Sequence, residues 1–351
     1  MVFYVYINFV TLFFNFNDKF KYKLVIIKKM AKNIKIDLYD KKIIYELDKD
    51  SSVSLNSLSG KLKKSKQFIL YRMKQLEESK IITGYNAIID MSKLGYFSFR
   101  VYFKFQQTTI EDGNKFVEFV RKNFHQVWTI TSMHGKWDYA LFLGVKNITE
   151  FHTIWDGIML EYKAKIKTYN VAVYAPVYNF NRKFFIETAS ESIERIYGAG
   201  EKEEIDGLDW KIIETYSNNV RQSSLEIARK LKVSSDTVRA RIKKLEKIKI
   251  ITGYKIGLNL EPLGFVSYRV DLQLLSTKRN RELFEFCKRH KNIYQINKSI
   301  GGADFEIEVI VKDLNHLLQL IDEIKSTFKD VVNDVDYFGF STFHILQYIP
   351  D

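Results

Sequence analysis

The residues best placed to do chemistry lie between Ser234 and Lys249. Ser234 is a good helix N-cap, and Val238, Ile242 and Leu245 recur at i, i+4 and i+7, which predicts a helix with one buried stripe. Ser235, Asp236, Arg239 and Lys243 then face away from that stripe, with Thr237 near the helix start and Arg241 and Lys244 beside them. Short polar side chains followed by a basic exposed face suit a helix lying in the major groove of double-stranded DNA. Its N-terminal half would meet base edges and its cations phosphates. The plainer alternative is an amphipathic helix whose basic face is simply solvated.

Other chemistries find little support. His125, His134, His152, His290, His316 and His344 form no common motif, and no glycine-rich phosphate loop, zinc spacing or Ser/His/Asp arrangement occurs. The single cysteine, Cys287, excludes a disulfide framework and a cysteine-rich zinc module and fits a reducing cytosol. The expectation is therefore a cytoplasmic protein with no cofactor and no catalytic residues, not an enzyme. Of 351 residues 46% are hydrophobic and 28% charged, a globular balance that excludes a mostly disordered chain and a polytopic membrane protein. The formal charge of +13 points to a polyanionic partner, most often nucleic acid.

The chain is a duplication. Lys80-Ile81-Ile82-Thr83-Gly84-Tyr85 recurs as Lys249-Ile250-Ile251-Thr252-Gly253-Tyr254, and residues 61–85 match 230–254 at 14 of 25 positions without gaps. The same offset of 169 aligns Ile36-Asp37-x-x-Asp40 with Ile205-Asp206-x-x-Asp209, and Leu94-Gly95 with Leu263-Gly264. Further on, Gly135-x-x-Asp138 pairs with Gly301-x-x-Asp304 at an offset of 166. The expected organisation is an N-terminal extension (1–35), a winged helix-turn-helix (36–90), a ferredoxin-like domain (91–186), a polar linker (187–204), a second winged helix-turn-helix (205–259) and a second ferredoxin-like domain (260–351).

Each copy opens with helical periodicity. In the second, helices follow Asp206 or Asp209, Ser223 or Ser224, and Ser234, and the run 250–258, turning at Thr252-Gly253-Tyr254, reads as a short hairpin wing. Residues 205–250 carry eleven Lys/Arg against six Asp/Glu. The first copy is a weaker DNA reader: its third helix offers Lys66, Gln67, Arg72 and Lys74, but Leu70 and Tyr71 replace Arg239 and Ala240. Gly60 further weakens its second helix, by ~1 kcal/mol relative to alanine. Beyond each wing the pattern becomes strand–helix–strand–strand–helix–strand: 96–107, 112–123, 127–133, 138–145, 148–162 and 165–177, then 265–275, 279–290, 293–300, 304–311, 314–328 and 332–346. This is the ferredoxin-like βαββαβ order. Strands such as Arg100-Val101-Tyr102-Phe103 and Arg269-Val270-Asp271-Leu272 carry apolar residues on both sides, so the sheet face away from the helices needs a cover. A second sheet from the other copy is the simplest one. Positive charge sits in the helical units, since residues 251–351 hold twelve Lys/Arg and fourteen Asp/Glu.

Residues 2–17 are uncharged but shorter than the ~20 residues a membrane-spanning helix needs, and they lack the features of a signal peptide. Three readings are open: a membrane tether, a hydrophobic extension packed on the body, and the expected one, that translation starts at Met30 and the upstream residues are spurious. Without residues 1–29, which carry five Lys and one Asp, the charge falls from +13 to +9.

A helix-turn-helix opening with Ile-Asp-x-x-Asp, then Lys-Ile-Ile-Thr-Gly-Tyr, a Leu-Gly before the first strand and Gly-x-x-Asp between two strands resembles the Lrp/AsnC (feast/famine) transcription regulators. Ser234-x-x-Thr237-Val238-x-x-Arg241-Ile242-x-x-Leu245-Glu246 is a specific match, and the first copy departs from it at Phe68 and Leu70. The resemblance implies an α+β fold made of two copies of a winged helix-turn-helix plus a ferredoxin-like effector domain. It also implies an intrachain pseudo-dimer that builds homo-oligomers, and sequence-specific regulation without a membrane. An amino acid or other small-molecule effector would sit at Gly135 and Asp138, and at Gly301 and Asp304. A plain hairpin turn with a capping Asp is the simpler account of those loops, and Trp137 and Ala303 within them differ too much in bulk for one ligand geometry. Two other functions stay open: an enzyme built like the siroheme decarboxylases, which share an AsnC-like architecture, and a DNA-inert sensor or partner protein.

Overall fold

The computed structural model describes residues 35–188 and 191–346. The extension with its expected start at Met30 lies outside them, apart from residue 35.

Each half begins with three helices: α1 (Leu38–Lys49), α2 (Leu55–Leu62) and α3 (Lys66–Glu78), then α6 (Gly207–Ser217), α7 (Ser224–Leu231) and α8 (Ser235–Lys247). The caps repeat. Asp37 and Asp206 close capping boxes with Asp40 and Asp209, satisfying amide donors that a helix start leaves unpaired. Ser65 and Ser234 cap α3 and α8, receiving hydrogen bonds from the amides of Phe68 and Thr237. α2 forms despite Gly60.

One strand follows each trio, β1 (Ile82–Ile89) and β7 (Ile251–Leu258), and here the structure corrects the expected hairpin turn. Thr252-Gly253-Tyr254 does not turn into a hairpin. β7 continues through it, with a register shift at Thr252, and pairs antiparallel with β1 of the other copy, with Asn86 opposite Lys255. The buried isoleucines of both strands explain this. Ile82, Ile89, Ile251 and Ile256 are all buried in a core shared by both helical trios, which folding back on itself would break up. Positions 86 and 255 are equivalent in the repeat and also face each other, so the pseudo-twofold axis passes between them.

The remaining strands are β2 (Phe97–Phe105), β3 (Val127–Gly135), β4 (Tyr139–Val145), β5 (Ile166–Phe180), β6 (Glu194–Tyr197), β8 (Val266–Leu274), β9 (Ile293–Ile300), β10 (Phe305–Val311) and β11 (Val332–Leu346). Between them run α4 (Ile110–Asn123), α5 (Ile148–Tyr162), α9 (Asn280–Arg289) and α10 (Leu314–Thr327), so that each half continues strand–helix–strand–strand–helix–strand. Instead of two separate facing sheets, one sheet is formed, in the order β2-β4-β3-β11-β8-β10-β9-β5-β6, and β2 also pairs with β5. Eight strands therefore close a ring, which leaves no free sheet edge within it. The two 15-residue strands make the closure. β5 pairs first with β2 and then with β9, while β11 pairs first with β8 and then with β3. The connector was expected as a polar linker, yet it contributes β6, which extends the sheet beside β5.

Alternate residues of each strand face outward to the helices. Phe99, Val101 and Phe103 join the core under α4 and α5, and Phe305, Ile307 and Val309 the core under α9 and α10. The inward residues form an ionic layer across the ring. Arg100 clasps Glu306 through two bonds of 3.0 and 2.9 Å, and Arg269 pairs with the same carboxylate, with Asp271 at 2.7 Å and with Glu308 at 3.4 Å. Below it Tyr102, Met133, Trp137, Ala140 and Phe338 plug one end of the barrel.

Burial works to raise the pKa of Glu306, but Arg269 and Arg100 outweigh it and hold the carboxyl at about 2. Because the folded value lies below the ordinary 4.5, this stabilisation is present above pH 4.5 and is lost as pH falls towards 2. Glu306→Gln leaves two buried guanidinium groups facing a neutral amide and should cost about 3–5 kcal/mol in denaturant unfolding at pH 7. The variant should also show a flatter loss of stability between pH 4.5 and 2 than the parent chain, measured by acid titration.

Candidate nucleic-acid interface

The basic residues of α8 fall into two groups. Val238 and Leu245 are fully buried with Ile242 partly covered, the expected inward stripe. Arg241 reaches back to α6, bonding Asp206 and, at 3.0 Å, Asp209, and Lys244 bonds Asp209 at 2.6 Å. The Asp209 side chain is wholly buried. Arg241 and Lys244 were expected beside the DNA face, but their charges meet carboxylates of the protein itself. The cause is the capping box. Its two aspartates concentrate negative charge at the start of α6, and hydrogen bonds from Arg241 to Asp206 and Asp209 hold that guanidinium's pKa above its ordinary value. The first copy repeats the arrangement. Arg72 pairs with Asp37 and lies 2.9 Å from Asp40, so it too is held by the fold.

The second group is exposed. Asp236, Arg239 and Lys243 are open to solvent and Ser235 and Thr237 partly so. Arg239 pairs with Asp236 one turn back, while Lys243 has no ion pair among the described residues. The Thr237 hydroxyl bonds the capping Ser234 hydroxyl at 2.8 Å. On α3, Lys66 and Gln67 are exposed, as is Lys74, 3.7 Å from Glu78. Leu70 and Tyr71 are 54% and 60% exposed, so the first copy presents an apolar patch where the second has Arg239.

The Gly-x-x-Asp loops end β3 and β9. Asp138 accepts the amide of Phe105 and Asp304 that of Leu274, both at 2.8 Å, so each carboxylate ties its hairpin to the adjacent strand. Lys104 adds an ion pair to Asp138 at 2.9 Å. Gly135 and Gly301 have φ of 108° and 87°, where a side chain is strained. Trp137 is buried in the barrel end, whereas its counterpart Ala303 donates its amide to Glu306 at 3.0 Å.

Other reactive groups do not converge. Among the described residues no three His, Cys, Asp or Glu are grouped to hold a metal. Cys287 is buried, which pushes its thiol pKa up.

Comparison with known proteins agrees with the helical geometry. Residues 205–246 match the AsnC-type helix-turn-helix domain, and residues 36–83 a winged helix-turn-helix DNA-binding domain. The HTH-type transcriptional regulator Ptr1 of Methanocaldococcus jannaschii is 30% identical over 119 residues, 34% of this chain and 80% of its own length. An uncharacterised HTH-type transcriptional regulator of Pyrococcus furiosus is 33% identical over 123 residues, 34% of this chain and 82% of its own. The crystal structure of the siroheme decarboxylase NirDL covers 90% of this chain and 94% of its own at a TM-score of 0.58. At 14% identity that likeness is one of fold alone. The expectation of a regulator agrees with the names of these sequence relatives. With both helix-turn-helix units matched and four-fifths of two such regulators aligned, the chain belongs to the Lrp/AsnC family of transcription regulators.

Proposed function

We propose that the chain acts as a sequence-specific DNA-binding regulator in which two fused copies, each a winged helix-turn-helix with a ferredoxin-like domain, make a built-in pseudo-dimer. The observation that carries this is the division of α8. One side is locked to α6 by Arg241, Lys244 and Asp209, and the other leaves Arg239 and Lys243 uncovered beside Ser235, Asp236 and Thr237. A helix fixed on its inner side and basic on its outer side is positioned to enter a major groove without rearranging. Lys66, Gln67 and Lys74 would give the first copy weaker, mostly phosphate contacts. Responsiveness to a small effector, with Gly135, Asp138, Gly301 and Asp304 as contacts, and further homo-oligomerisation belong to the same reading, as does a cytoplasmic location. Among the described residues no helix is long and apolar enough to cross a membrane.

Selection of genomic fragments by the purified chain should enrich a defined site. On that site Arg239→Ala with Lys243→Ala should weaken binding by at least about tenfold and reduce its salt dependence. Unchanged affinity in fluorescence anisotropy would remove α8 from the interface. Arg241→Ala should behave differently, lowering unfolding free energy by about 2–3 kcal/mol because the buried Asp209 carboxylate loses a charged partner. The double variant should leave stability within about 0.5 kcal/mol, as exposed substitutions do.

A further inference from the structure

The mouth of the barrel holds a cavity of about 400 Å³ between the β1–β7 pair and the inward faces of both halves. An adjoining space of about 170 Å³ shares Ser98, Trp128, Tyr197 and Lys255 with it. Such volumes suit a small organic ligand. The site takes residues from the first parts of β2, β3, β8 and β9, such as Ser98, Trp128, Ser267 and Tyr294. The Gly-x-x-Asp loops follow the last residues of β3 and β9, so they lie at the opposite barrel end, beyond the layer of Arg100, Arg269 and Glu306.

The polar groups in the wall are unequally matched. Glu308 is saturated by Tyr294 at 2.6 Å, Gln295 at 3.1 Å, Asn297 at 3.2 Å and Arg269 at 3.4 Å. Arg182 is held by Asp48 at 2.8 Å. Lys255 has no hydrogen bond or ion pair among the described residues, and the buried indole nitrogen of Trp128 has no acceptor. The cavity therefore presents unmet donors and a cation, while its carboxylate is already satisfied. Buried donors without partners are costly, so an acceptor is what the wall lacks. Apolar surface is supplied by aromatic rings: Phe142 and Tyr174 lie parallel, 6.2 Å apart, and Trp128 adds another face.

Lys255 is also a departure from the repeat. Its counterpart and strand partner is Asn86, so a single lysine amine stands by the pseudo-twofold axis. Burial, then the neighbouring Arg182, pull its pKa down to about 7, with Arg195 acting the same way and Asp48 and Glu308 opposing them. A carboxylate arriving at this ammonium would offset both effects.

We infer that the barrel mouth is a binding site for a small organic monocarboxylate with a flat apolar body, its carboxylate on Lys255. This site is separate from the DNA-facing helix, and its test needs no DNA. The full chain is titrated calorimetrically with phenylacetate and indole-3-acetate, with phenylacetamide and indole-3-acetamide as neutral counterparts. At least one acid should bind, at least tenfold more tightly than its amide. Lys255→Asn, which copies the first repeat, should lose at least tenfold in affinity with an unchanged circular dichroism spectrum, and Lys255→Arg should retain binding. Absence of binding by both acids, equal binding of acid and amide, or full binding by Lys255→Asn would overturn the assignment. Should Lys255→Asn fail to fold, the acid–amide comparison on the native chain decides it.

Discussion

Two guanidinium groups from opposite copies converge on one carboxylate, and the closed barrel depends on that convergence. Arg100 and Arg269 occupy equivalent places on β2 and β8, and the ring brings both inward towards the axis. Their charges repel: Arg269 works to lower the pKa of Arg100 and burial does so more strongly, yet the value stays above the ordinary one because tyrosine and Glu306 neighbours oppose them. A symmetric dimer of one copy would have to meet this repulsion with a symmetric answer. The fused chain instead places Glu306 on β10 and leaves Ala140 at the equivalent position of β4. One wall then supplies the anion for both arginines, and the other supplies space. Duplication followed by divergence makes such a one-sided solution available.

The same divergence recurs along the axis and at the surface. Asn86 faces Lys255 at the barrel mouth. Trp137 fills the far end where the second copy has only Ala303. Leu70 stands on α3 where Arg239 stands on α8. What stays equal is the framework: the capping boxes, the arginine that returns to them, and the bonds of Tyr85 to Glu77 and Tyr254 to Glu246. The two halves keep the interactions that build each helical unit and differ where side chains meet something else.

Much of this was legible in the residues alone. Periodicity placed the strands and helices within a few residues of where they lie, because burial on one side is a local pattern. The repeat implied that one half would cover the other. What periodicity could not express was pairing between distant segments. Thr252-Gly253-Tyr254 looks like a turn in isolation, and only the isoleucine strand of the other copy holds it in a strand. Barrel closure rests on β5 and β11 changing partners midway, which leaves no mark except unusual length. Arg241 was misplaced because its partner lies 35 residues away, whereas the partner of Arg239 is three away. A signal did exist: arginine is kept at both 72 and 241 together with both Asp-x-x-Asp pairs, while position 239 differs from position 70. The arginine kept in both copies is the one that returns to the capping box.

Magnitudes then decide which cations a polyanion can recruit. The pair between Arg239 and Asp236 is exposed on both sides, and such pairs are worth about 1 kcal/mol or less. A phosphate or a base edge can take that guanidinium at little cost. Asp209 is wholly buried, and stripping Arg241 from it would leave that carboxylate with Lys244 alone away from water, a loss of about 2–3 kcal/mol. Arg241 is therefore the harder of the two guanidinium groups to detach. The cations of α8 that are free of a buried carboxylate are Arg239, Lys243 and Lys247, fewer than its formal charge suggests, and the buried aspartate ties the helix to α6.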